Sequence, residues 1–159
     1  MNIFVLHEDP VEAALAHCDT HVVKMILETT QMLCTVQVLA GTPIDGGYRP
    51  THQNHPCTRW IRESVGNYEW AARLLTALHA VYTHRFCKEH ASKRLLATLV
   101  MAPVGIRVER TPFVFAGPPE CVRESIVESY RALYRLKRTT MRVPMRWTKD
   151  EVPHWMEAP

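Results

Sequence analysis

From His17 to Val36 the apolar residues recur with a helical period. Val22, Met25, Ile26, Thr29, Leu33 and Val36 make one broad face, while Val23, Leu27 and Cys34 carry apolar character round the other side. A helix that is apolar nearly all round belongs in the middle of a domain. One narrow polar line interrupts it: His21, Lys24 and Glu28, extended by Gln31 and Thr35, and by His17 where the helix is continuous that far back. Residues three and four apart are neighbours on a helix surface. Lys24 and Glu28 have the spacing of a solvated ion pair. On a helix otherwise buried, the same line reads as a paired network or a functional site.

The rest of the chain reads as helices separated by turn chemistry. Met1 to Leu6 is a short strand or an extended strap on the core. Asp9-Pro10-Val11-Glu12 starts a first helix, with Asp9 as N-cap, Pro10 at the first position and Glu12 reaching back as in a capping box. Asp19 caps the central helix, which runs to about Leu39 and is ended by Gly41. Residues 40–56 are a Gly/Pro/Asp-rich loop carrying His52, Asn54 and His55. Cys57 to Ser64 is helical, Gly66-Asn67 is a break, and Tyr68 to about Lys88 is a long helix with Trp70, Leu74, Ala77, Leu78, Val81 and Phe86 on its core face. Ser92 caps another helix through Val100. Residues 102–118 hold a candidate strand, Phe113 to Phe115. Pro119 starts the last clear helix, to about Arg138. The expected fold is all-α: a single domain over residues 1–159, five or six helices around a central buried one, at most a token β-strand pair, and a basic, aromatic C-terminal tail over 139–159.

Composition narrows the class. The 159 residues suffice for one real core, and 47% hydrophobic with 22% charged residues is ordinary for a globular chain. No uninterrupted apolar run approaches the length of a membrane span. The apolar start is short for a leader and is followed by acids, so a cytoplasmic protein is expected, with no membrane partner. Five cysteines without a CxxC pair argue for reduced thiols. The net charge of +3 is unevenly spread: seven basic residues and no acid lie between Arg131 and Lys149. On the last helix Arg131, Arg135 and Arg138 share a face; Arg142, Arg146 and Trp147 follow in the tail. Basic residues interleaved with aromatics can hold backbone phosphates and stack on bases, although Trp147 can equally pack the tail onto the body.

Phosphate-binding glycine loops, HExxH and GxSxG are absent from the sequence. His17 and His21 have a spacing that can chelate a metal on a helix, with His52 or His55 as a distant third ligand. The remaining ligands find no place in the sequence, so neither a metal nor another cofactor is expected.

With Asp19-Thr20-His21 and Glu28 in view, the chain resembles the phage pyrimidine-dimer DNA glycosylase/AP lyase family of the T4 endonuclease V type. That family carries an Asp-x-His followed, seven residues after the His, by a catalytic Glu on an early helix, the spacing of His21 and Glu28 here. Further echoes are the turn-rich loop, two later helices, and Pro153-His154-Trp155 after a basic segment. The chain also resembles small phage-borne proteins that begin MNIF and carry HCDxHVVKM and NHP. The resemblance implies a compact all-α fold, duplex DNA with a displaced base as substrate, and attack of an α-amine on the sugar C1′ to give an imine, with the Glu handling protons before β-elimination. The chain departs from the family in having Asn2 at the second position, and Leu27 and Gln31 beside Glu28 where the family has arginines. Lys24 is an alternative amine.

The reading is thus a DNA-acting enzyme of glycosylase/AP-lyase type, serving DNA repair or modification in the cytoplasm of a bacterial host. Its catalytic candidates are Glu28, His21 and Lys24. Its nucleic-acid contacts are His52, Asn54, His55, Arg131, Arg135, Arg138, Arg142, Arg146 and Trp147. The alternatives are a non-catalytic nucleic-acid-binding or host-interaction protein on the same fold, and a His-centred metalloenzyme acting on nucleotides.

Overall fold

Asp9 begins the first helix as its sequence dictates. Its carboxylate accepts from the backbone N–H groups of Val11 and Glu12, and Pro10 occupies the first helical position of α1, Pro10–Ala16. Glu12 does not reach back, because the Asp9 N–H is already held by His7 Nδ1 at 3.0 Å. In this computed structural model, which describes residues 1–103 and 107–157, α1 is followed by α2 (Asp19–Leu39), α3 (Pro56–Glu63), α4 (Val65–Phe86), α5 (Leu96–Leu99) and α6 (Ile126–Thr140). The protein is all-helical, with six α-helices and neither strand nor sheet among the described residues.

α4 is the scaffold: it packs on both α1 and α2, and α3 packs on the pair α2 and α4. α2 is the core helix. Its Val22, Met25, Ile26, Met32, Leu33 and Cys34 are fully buried. By length and mean hydropathy it could cross a membrane, but 61% of its apolar window is covered by the rest of the protein. Its exposed stripe is narrow and includes Val23, Lys24 and Leu27. Gly41 ends α2 with φ +79°, its N–H returning to Val38 O at 3.1 Å.

Several boundaries differ from those read in the sequence, each for a tertiary reason. Asp19 is not the α2 cap. Cys18 holds that position without a side-chain bond, and the Asp19 carboxylate is engaged by Arg85 and Thr148. The break between α3 and α4 falls on Ser64, which is extended and caps α4 through the Asn67 N–H. Gly66 lies inside α4, where a Cβ would meet the Arg110 backbone N at 2.8 Å. A close approach, not a turn, requires that glycine. His90, not Ser92, caps the 3₁₀ turn Ala91–Leu95, and Ser92 is buried at 3.1 Å from the Tyr48 hydroxyl. Pro119 opens only a 3₁₀ turn, and Ser125 caps α6. Phe113 to Phe115 is no strand. With no neighbouring strand to pair with, the strap is stapled by one side chain: the Tyr130 hydroxyl donates to Val114 O at 2.9 Å and accepts from Ala116 N–H at 3.2 Å.

The N-terminal segment Met1 to Leu6 is a strap, not a strand. Ile3, Val5 and Leu6 are fully buried. The Asn2 Oδ1 accepts from both Ile3 N–H (2.8 Å) and Phe4 N–H (3.1 Å). Phe4 then takes φ +35°, a strained conformation for a residue with a Cβ. The aromatic stack around it compensates: the Phe4 ring lies 4.9 Å from His21 and 5.5 Å from Tyr134. The strap is thereby wedged between α2 and α6. The C-terminal tail packs on α6 beside the strap, Trp155 lying against Arg131 and Tyr134, with Trp147, Trp155 and Met156 buried.

Candidate functional site

Glu28 sits where α2 meets the N-terminal strap. Its Oε2 accepts the Asn2 backbone N–H at 3.0 Å and stands 3.6 Å from the Met1 α-amino nitrogen. Its Oε1 stands 3.6 Å from Lys24 Nζ, one helical turn earlier. One carboxylate thus lies between two primary amines, with its side chain 14% exposed.

These groups open onto a cavity of about 240 Å³. Met1, Lys24 and Glu28 line one side; Phe4, Pro118 and Leu133 supply apolar surface, and Lys137 of α6 completes the rim. Lys137 is half-buried, with Nζ 5.7 Å above the Phe4 ring. The wall at 116–118 is fixed from two sides. Asn2 Nδ2 donates to Ala116 O at 2.7 Å, and Gly117 lies so close to Leu133 that a Cβ would meet Leu133 Cδ2 at 2.9 Å. Asn2 therefore ties the strap, the wall and Glu28 together, through its side chain to the first two and its backbone to the third.

His21 stands behind Phe4, not in the cavity. It is buried against Phe4 and Tyr134, and its Nδ1 has no partner. Burial drives its pKa down to about 3, helped by His17 and by the lysines 137 and 24. His17 is fully buried, its Nδ1 bonded to Ala13 O at 2.6 Å, and burial lowers its pKa to about 4. Both are neutral rings of the core. No group of three or more His, Cys, Asp or Glu side chains among the described residues is arranged to hold a metal ion, so the pairing of His17 and His21 with a loop histidine is not formed.

The loop after α2 is pinned to that helix beyond the site. Thr35 Oγ1, two turns beyond Glu28, accepts the Thr51 N–H at 3.1 Å and pins the loop there. His55 caps α3, its Nδ1 accepting the Cys57 N–H at 3.2 Å. A neutral His55 then carries its proton on Nε2. Partial burial lowers its pKa, the Met1 ammonium and His52 lower it further, and Glu28 opposes them, so this ring shares the field of the site. His52 (φ +47°) and Asn54 are exposed, and His52 Nδ1 lies 2.7 Å from Thr51 Oγ1.

The basic C-terminal residues divide. Arg131 Nε donates to Leu6 O at 3.1 Å, Nη1 to Glu128 at 2.9 Å, and its guanidinium lies 5.3 Å over Trp155. Arg135 and Arg138 donate to the carbonyls of Trp155 and Met156. These three hold the tail on α6. Trp147 is buried with Nε1 bonded to Ala16 O at 3.0 Å, so its ring is closed to a stacking base. Arg142 and Arg146 are exposed. Lys137 does not stand out in the sequence, because it lies one position from the arginine face at 131, 135 and 138. The signal for it is its spacing of four from Leu133, which puts the two on one stripe of α6. Comparison with family models, curated proteins and solved structures finds no match to this chain.

Proposed function

We propose that this protein is a DNA-acting enzyme of glycosylase/AP-lyase type, working through a primary amine and the Glu28 carboxylate. The observation that carries the reading is Glu28 at 3.6 Å from both the Met1 α-amine and Lys24 Nζ, beside a small cavity rimmed by Lys137. A carboxylate so placed takes the proton from an ammonium and frees it as a nucleophile. At an abasic site the neutral amine adds to the C1′ aldehyde, and Glu28 returns its proton to the hydroxyl of the adduct, which leaves as water to give an iminium and a free Glu28 carboxylate. Glu28 then removes a C2′ proton, whose electron pair forms the C=C bond, while the 3′ phosphate departs with the C3′–O pair. Hydrolysis of the imine returns the amine. Lys24 and Lys137 complement the phosphates flanking the reacting sugar.

The test is intact mass of the protein before and after incubation with abasic-site duplex and borohydride. A covalent adduct, mapped to Met1, to Asn2 after loss of Met1, or to Lys24, supports the reading and names the amine. Absence of any adduct overturns it. A second reading has its own support: ammoniums paired to a carboxylate can also serve only to fasten the strap. Retained DNA affinity without an adduct would identify a binding protein on this fold.

A further inference from the structure

A second groove, of about 640 Å³, runs along α3 and is lined by Pro56, Arg59, Trp60, Arg62, Glu63 and Val114. The strap at 114–116 runs from this groove to the Glu28 cavity. Val114 is part of this groove while Ala116, two residues on, lines the cavity, so the two are at most about 7 Å apart along the chain. Pro56 follows directly on His55, whose ring lies in the field of the Met1 amine and Glu28. The strap between them is held by the Tyr130 hydroxyl at both Val114 and Ala116.

Arg59 differs from the arginines of α6 in having neither a carbonyl nor a carboxylate partner among the described residues. Among the described residues neither has a carboxylate within ion-pair distance; Arg59 is exposed, and Arg62 makes one bond, to the Gln53 carbonyl at 3.2 Å. Glu63 lies in the same groove, but its Oε2 is engaged by the Thr111 hydroxyl at 3.1 Å. Two guanidiniums, of which Arg59 has no partner among the described residues, outweigh the single Glu63 carboxylate in a groove lined by Trp60 and Val114, beside a cavity rimmed by two lysines.

The geometry points to this groove as the track for the DNA strand leaving the Glu28 cavity, with Arg59 and Arg62 on the phosphates of the next nucleotides. The assignment rests on the DNA reading proposed above and adds where the strand runs. The Arg131, Arg135 and Arg138 face, occupied by the tail, is not the main phosphate surface.

The experiment measures binding of fluorescent abasic-site duplex by anisotropy across a salt series, for wild type, Arg59→Gln/Arg62→Gln and Arg142→Gln/Arg146→Gln. An arginine that neutralises one phosphate adds about one unit to the slope of log affinity against log salt. The α3 double variant is expected to fall short of the wild-type slope by about two units, and the tail variant by less. Circular dichroism and the thermal midpoint check that these surface changes leave the fold intact. An α3 variant with wild-type slope overturns the track, while a borohydride adduct on the wild type would still uphold the chemistry. A reduced slope without any adduct upholds the track and removes the chemistry. A wild type that binds no duplex overturns both.

Discussion

Two acids on one helix have opposite fates. Asp19, at the start of α2, is enclosed by donors: Arg85 Nη1 at 3.1 Å, the Thr148 N–H at 3.1 Å and the Thr148 hydroxyl at 2.7 Å. Arg85 is itself buried and also bonds Asp150 at 2.7 Å and the carbonyls of His17 and Leu15 at 2.7 and 3.1 Å. That centre joins α1, α2, α4 and the tail. Glu28, further along the same helix, has a backbone bond to Asn2, but its two ammonium partners stand back at 3.6 Å and its carboxylate faces a cavity. Short, complete pairing marks a joint of the fold; loose pairing beside open space leaves room for a substrate. The Asp-x-His…Glu pattern that carried the family resemblance splits accordingly: Asp19 and His21 support the fold and Glu28 faces the site.

The contrast can be broken at its site end first. Glu28→Gln is expected to lower adduct formation by about 10²–10⁴-fold while leaving DNA affinity nearly intact. Undiminished adduct would remove Glu28 from the chemistry. At the structural end, Arg85→Met should destabilise the fold by about 3–5 kcal/mol in urea denaturation, since it strips a buried cation from Asp19 and Asp150. A destabilisation below about 1 kcal/mol would show that the centre is not a joint. Acid should act on the same half of the molecule. His17 and His21 are neutral in the folded protein, with pKa values near 4 and 3, and titrate at 6.5 when unfolded. The unfolded chain therefore takes up protons first as pH falls. Their stabilising share is complete above pH 6.5 and is lost toward pH 4 and below, by a few kcal/mol in all. A thermal midpoint flat between about pH 7 and 4.5 would contradict their burial. Smallest is Asn2→Ala, which removes the tie to Ala116 and the strap's turn. About 1–2 kcal/mol of stability should go, with slower adduct formation at saturating DNA. Slower adduct formation with an unchanged thermal midpoint would assign Asn2 to the site rather than the fold.

Much of the fold was legible in the sequence because it is local. The helical period of 17–36, the Asp9-Pro10 start and Gly41 each act through neighbouring residues. What escaped depends on partners far away in the chain. Gly66 reads as a breaker until the Arg110 backbone is seen against it, and Arg131, Arg135 and Arg138 read as a free cationic face until the Leu6 carbonyl is found on the first and tail carbonyls on the other two. Glu28 and Lys24 were visible as one helical pair. Met1 and Lys137 join them only through tertiary packing, and spacing along the chain carries no trace of that.

The Arg131–Leu6 bond joins residues 125 positions apart. The strap lies far ahead of α6 in the chain, yet its seat is completed only when α6 has been synthesised. Contacts of such long separation form late. The Lys24–Glu28 pair forms with α2 itself, whereas the Met1 amine reaches Glu28 only once the strap is seated, so a chain cut before α6 keeps the first pair and loses an anchor of the second.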